Sequence, residues 1–163
     1  MIFQIKKYLR SKRKDHFQDV LIEKLNKEHQ KLFELVGKME EVLQKENYKK
    51  LNKLIAEFKK ELELHVLYED TNLYEHLYTR YYYYDDIKSI IKQKHDEINN
   101  IATAVEEFIS KYAKLGSNNI EEFKKEFSAI KDVLVKRVSF EENSLYDIYM
   151  NNYKKSEILK KLK

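Results

Sequence analysis

Apolar residues recur along this chain at alternating intervals of three and four, the spacing that lines one face of an α-helix. Four such stripes are legible. Leu25, His29, Leu32, Val36, Met39 and Leu43 predict a first helix from about Asp19, acting as its cap, to about Lys45. Leu51, Leu54, Phe58, Leu62, His65, Glu69, Leu73 and His76 predict a second, from about Tyr48 to about Thr79. Ile87, Ile91, His95, Ile98, Ala102, Val105, Ile109 and Tyr112 give a third, from about Asp86 to about Leu115. Phe123, Phe127, Ile130, Leu134, Arg137, Glu141, Leu145 and Ile148 give a fourth, from about Ile120 to about Met150. Glu46-Asn47 is a short link, and Gly116 to Asn119 is the clearest turn, with Asn119 and Glu122 at capping-box spacing. Short links set consecutive helices antiparallel. The expected fold is all-α, an up-down-up-down four-helix bundle with an N-terminal arm and a C-terminal helical tail.

Polar groups interrupt every stripe. His65 and Glu69 stand four apart on one face of the second helix, His29 and His95 occupy core positions on the first and third, and Arg137 and Glu141 interrupt the fourth. Burying such groups alone costs about 1 to 3 kcal/mol per unsatisfied hydrogen-bonding group and more for a charge, so they must answer one another across the bundle.

The halves of the chain repeat. LNKEH (Leu25 to His29) aligns with IKQKH (Ile91 to His95), and EDTNLY (Glu69 to Tyr74) with EENSLY (Glu141 to Tyr146), which pairs His65 with Arg137 and Glu69 with Glu141. The two histidines follow the starts of helices one and three by about ten residues, and the two glutamates precede the ends of helices two and four by about as many. At 1.5 Å of rise per residue all six groups are expected in one layer, roughly 15 Å below the end that carries the arm and the run Tyr81-Tyr82-Tyr83-Tyr84. Gly37 is expected to mark a close approach of helices.

Composition narrows what such a layer can be. The 163 residues suit one domain, and the absence of proline with only two glycines excludes the punctuation that sheets need. Without cysteine there are no disulfides, thiolate metal sites or thiol catalysis. Residues 1–18 form a basic arm in which Ile2, Phe3, Ile5, Tyr8 and Leu9 suit a short amphipathic helix. It is read first as an arm packed on or trailing from the bundle, and second as a contact for a membrane surface or acidic partner. With Asp15 and Asp19, the six basic groups of the first twenty residues account for the whole formal net charge of +4. The bundle, residues 19–150, is therefore balanced and offers no field for nucleic acid. The tail, residues 151–163, is lysine-rich and expected to be helical but peripheral. No long apolar run or leader pattern is present, so a cytoplasmic location is expected. No nucleophile, phosphate-cradling loop or reaction-specific acid-base pair is visible, and no enzymatic activity is expected.

His29, the HVLYE run from His65 to Glu69, and His95, together with the acid and Leu-aromatic pair at Asp70, Leu73 and Tyr74, resemble the hemerythrin-like (HHE cation-binding) family over about residues 20 to 150. The resemblance implies a non-haem di-iron centre used to bind oxygen, to sense oxygen or iron, or to hold iron, with dioxygen or another small molecule as ligand. His29, His65, Glu69, His95 and Glu141 become the candidate metal ligands. Imidazole with carboxylate in a bundle core also suits iron on chemical grounds. The fourth helix departs from the family, because Arg137 stands where a histidine is expected and a guanidinium has no lone pair for a metal. Two arrangements stay open. In one, His29, His65, Glu69 and Glu141 form a mononuclear or asymmetric centre and His95 is orphaned. In the other, Arg137 replaces metal by holding Glu69 and Glu141, or snorkels away. The second has a precedent, since RVSFEENSLYDIY (Arg137 to Tyr149) is also similar to the Regulator of sigma D family. That likeness implies a metal-free regulatory module binding a protein partner such as a sigma factor. One iron ion, two or none are all compatible with the residues.

Overall fold

In the computed structural model the backbone is described for residues 2–162 and the side chains for residues 19–162. The amphipathic contact expected of residues 1–18 lies outside the described side chains. Helix α1 spans Ile2–Gln44, so Asp19 lies within it and caps nothing. Helix α2 (Tyr48–Glu69) passes through a π-helical turn, Asp70–Tyr74, into α3 (Glu75–Arg80), the three together forming the expected second rod. Helix α4 (Asp85–Lys111) is the third. The fourth repeats the pattern of the second: α5 (Ile120–Phe140), a π turn over Glu141–Leu145, then α6 (Tyr146–Met150). A last helix, α7, covers Lys155–Lys161. α1 packs on α2 and α6, α2 on α4, and α4 on α5, which is the neighbour order of the up-down-up-down bundle. Among the described residues there is no strand, and no helix is long and apolar enough to cross a membrane.

Local chemistry fixes the corners. The Asn47 N–H reaches Val42 O at 3.3 Å and the Glu46 N–H reaches Leu43 O at 3.1 Å, the paired bonds of a Schellman ending, with Glu46 in the left-handed region at φ 53°. Asn47 then caps α2 by accepting from the Lys50 N–H at 3.1 Å. At the opposite turn the capping box is not formed. Asn119 Oδ1 accepts instead from the Gly116 N–H at 2.9 Å, and Glu122 pairs with Lys111. Asn52 of α2 ties this turn down, donating to Leu115 O and accepting from its N–H. A Cβ built on Gly37 meets nothing within 4 Å, so no close helix approach explains that glycine.

Tyr81 is buried at the C-terminal cap of α3, while Tyr82, Tyr83 and Tyr84 run through the turn into α4 and are exposed. The tail is not peripheral: Ile158 and Leu162 are buried in the core, Lys155 pairs with Asp86 at 2.8 Å, and Lys161 and Tyr153 both hold Asp147. The apolar residues that support α7 alternate with lysines over too short a run to announce a packed face.

The core is in two parts. One apolar cluster fills the Gly116 end, from Leu32, Leu62, Val105 and Leu134 downward. The other fills the tyrosine end, from Leu25, Leu73, Ile98 and Leu145 upward. Between them lies a polar layer.

Candidate metal centre

His29, His65, Glu69, Arg137 and Glu141 are the buried polar or charged residues, tyrosines aside, among the described side chains, and none is more than 4% exposed. All five were expected inward, and they meet between the two apolar clusters. α1 supplies His29, α2 supplies His65 and Glu69, α5 supplies Arg137, and the following π turn begins at Glu141.

Arg137 bridges the carboxylates. Its Nε donates to Glu141 Oε1 at 2.7 Å and one terminal nitrogen donates to Glu69 Oε2 at 3.3 Å. The Tyr146 hydroxyl donates to the other Glu69 oxygen at 2.9 Å. Glu69 and Glu141 cannot both be readily ionised at such proximity. Burial and the neighbouring Glu141 charge push the Glu69 carboxyl well above the usual carboxylate range. Burial acts the same way on Glu141, but Arg137 and His29 outweigh it and hold that carboxylate ionised.

The histidines form the other side of the layer. His29 Nε2 and His65 Nε2 face each other at 3.1 Å, and Glu141 Oε2 lies 3.2 Å from His29 Nε2. Each imidazole is gripped from behind by an acid: His29 Nδ1–H donates to Glu142 Oε1 at 2.8 Å and His65 Nδ1–H to Glu28 Oε2 at 3.0 Å. A carboxylate only accepts, so these bonds place the proton on Nδ1 and leave the Nε2 lone pairs pointing inward. An acid behind a ligand imidazole is the usual way a protein fixes a metal-binding tautomer. Three ligand atoms, one from each of His29, His65 and Glu141, thus lie within 4.8 Å of one another. Burial lowers the proton affinity of His65. Burial also works against a proton on His29, but Glu141, Glu142 and Glu69 outweigh it and raise that affinity. The cluster calls for a cation, which a proton or a metal ion can supply.

His95 is not brought into this set. Its Nε2–H donates to Asp70 Oδ1 at 2.8 Å, its Nδ1 accepts from the Tyr78 hydroxyl at 2.8 Å, and the Tyr74 ring stacks on it at 3.8 Å. Those partners set it nearer the tyrosine end than the layer, whose level on α4 falls between Ile98 and Val105, near Ala102. With both ring nitrogens engaged it has no lone pair to offer. The residues therefore fit one ion at His29, His65 and Glu141, with Glu69 beside them, His65 Nε2 lying 4.0 Å from its Oε2. They do not fit a second, because the guanidinium already supplies the charge between the carboxylates.

Glu28, Glu142 and Tyr146 escaped the sequence pattern. Glu28 and Glu142 sit beside inward residues and reach in from the flank, which periodicity alone does not signal. Tyr146 closes the repeated EENSLY motif, and that repetition was its only mark.

The family model described as the hemerythrin HHE cation-binding domain matches residues 20–149. Comparison with curated proteins and with solved structures finds no match. The family match covers most of the chain and spans all four rods and every residue of the polar layer, so this protein belongs to the hemerythrin HHE cation-binding domain family.

Proposed function

We propose that this protein binds one iron ion through His29, His65 and Glu141 and serves in iron handling or in oxygen or redox sensing, with dioxygen or another small molecule as its ligand. The observation that carries this reading is the opposed pair of Nε2 lone pairs beside Glu141 Oε2, each imidazole backed by its own acid. Such a donor set holds a cation and is unfavourable without one. Iron bound there would supply one-electron chemistry. The protein's part is to orient the imidazoles through Glu28 and Glu142, to keep Glu141 ionised through Arg137, and to exclude bulk water with the apolar clusters on either side. Tyr146 donates to Glu69, and its hydroxyl oxygen lies 3.4 Å from His29 Nε2, at the edge of the set.

Metal analysis of protein purified from iron-replete cells tests this. About one iron per chain is expected, lost in His29→Ala and in His65→Ala, with Fe(II) rebinding to the chelated protein seen by anaerobic calorimetry. A protein that is metal-free on isolation and gives no heat with Fe(II) or Mn(II) overturns the assignment. A second reading is favoured by one observation, the Arg137 bridge that neutralises Glu69 and Glu141 without metal. On that reading the chain is a regulatory module for a protein partner, and the metal-free outcome joined to capture of a sigma factor supports it.

A further inference from the structure

His95, the imidazole that the layer leaves out, stands in an arrangement of its own. Asp70 accepts from its Nε2–H at 2.8 Å, which fixes the tautomer, and the lone pair on Nδ1 is then the acceptor for the Tyr78 hydroxyl at 2.8 Å. The Tyr74 ring lies parallel to the imidazole, 3.8 Å away and tilted by 9°, so the ring cannot turn out of register with Tyr78. The first π turn builds this group: Asp70 opens it, Tyr74 closes it, and Tyr78 follows one turn later on α3.

A phenol bonded to an imidazole nitrogen whose ring is itself held by a carboxylate has a defined route for its proton when an electron leaves. Oxidation makes a phenol strongly acidic, and an imidazole is a better acceptor than a carboxylate by about two pKa units. Tyr153 donates to the Asp147 carboxylate, and Tyr146 donates to the Glu69 carboxylate from inside the sealed polar layer, its oxygen at a longer 3.4 Å from His29 Nε2. Tyr78 is half-buried at the edge of the bundle. With no cysteine and no tryptophan in the chain, tyrosine is the side chain that gives up single electrons most readily.

We propose that Tyr78 is a redox-active tyrosine, oxidised by one electron with its phenolic proton passing to His95 Nδ1. The electron goes to a one-electron outer-sphere oxidant, which is reduced by one unit. The O–H bond of Tyr78 breaks, an N–H bond forms on His95, and the products are a neutral phenoxyl radical and an imidazolium held by Asp70. Return of an electron from a reductant at the surface sends the proton back. This assignment does not depend on metal in the layer.

The test uses the full chain after chelation, oxidised by photogenerated tris(bipyridine)ruthenium(III) and frozen for electron paramagnetic resonance. The expected product is a neutral tyrosyl radical with one exchangeable deuteron coupled to its oxygen. Tyr78→Phe should remove most of the long-lived signal, and His95→Gln, checked for folding by circular dichroism, should shorten its lifetime about tenfold and abolish that coupling. Tyr153→Phe should leave it unchanged, and because the chelated protein carries no iron, this outcome is read separately from the fate of the iron assignment. Equal signal in Tyr78→Phe, or an unaltered radical in His95→Gln, overturns the proposal.

Discussion

Arg137 shows how one side chain redirects a site. Its charge lies between two carboxylates that burial would otherwise force toward the protonated form, and it leaves the donor cluster on the histidine side open. Replacing it with methionine removes the partner but not the buried acids, so Arg137→Met should lower the unfolding free energy by about 3 to 5 kcal/mol in urea titrations. Glu142 acts through His29 and not on the ion itself. Glu142→Ala should therefore leave the fold intact and weaken Fe(II) binding about tenfold, at the low end for a supporting acid because this one is partly exposed. The five layer residues were legible because each breaks an apolar stripe at helical spacing. The level of His95 was misjudged because its count began from the helix start, whereas the layer crosses α4 near Ala102, where no polar residue marks it.

The two π turns are the element-scale surprise. Inward residues His65, Glu69, Leu73, Leu77 and Tyr81 follow at strict steps of four. On an ideal helix of 3.6 residues per turn such a run drifts by about 40° per step and would leave the core face. A π turn holds an extra residue and takes up about 100° of that drift. Arg137, Glu141, Leu145 and Tyr149 repeat the device, so an unbroken run of fours was the readable sign. Gly37 lies in an α1 environment with room to spare, and Gly37→Ala should raise stability by about 0.5 to 1 kcal/mol, seen as a higher Tm. Helix α7 is clamped through Asp147. Burial would raise that carboxyl, but Lys161, Tyr153 and Asn151 outweigh it and hold it below its ordinary value of 3.8. A depressed carboxyl stabilises the fold fully above that ordinary value and loses the contribution as pH falls through the folded one. Asp147→Asn should thus melt below the native protein near about pH 6 and approach it in acid, when melting curves are compared across that window.

At the scale of the whole molecule the bundle, its connection order and its duplication were readable from periodicity, because each rod carries a long apolar face broken at only a few positions. The docking of α7 and the acids behind the histidines were not, because they depend on contacts between residues far apart in sequence. A ligand held only by the folded chain stabilises it in proportion to its saturation. Iron at about a hundred times its Kd should add about 2.7 kcal/mol, read as a Tm that falls on chelation and recovers on reloading. His65→Ala should abolish that difference.

The divided core carries a kinetic implication. Each oily block takes side chains from all four rods, Leu32, Leu62, Val105 and Phe127 in one and Leu25, Leu73, Ile91 and Tyr149 in the other. A lone hairpin therefore owns only half of either block, and collapse must wait for two distant stretches of chain to find each other. The repeat that makes the molecule look like two equal pieces is what prevents either piece from standing by itself.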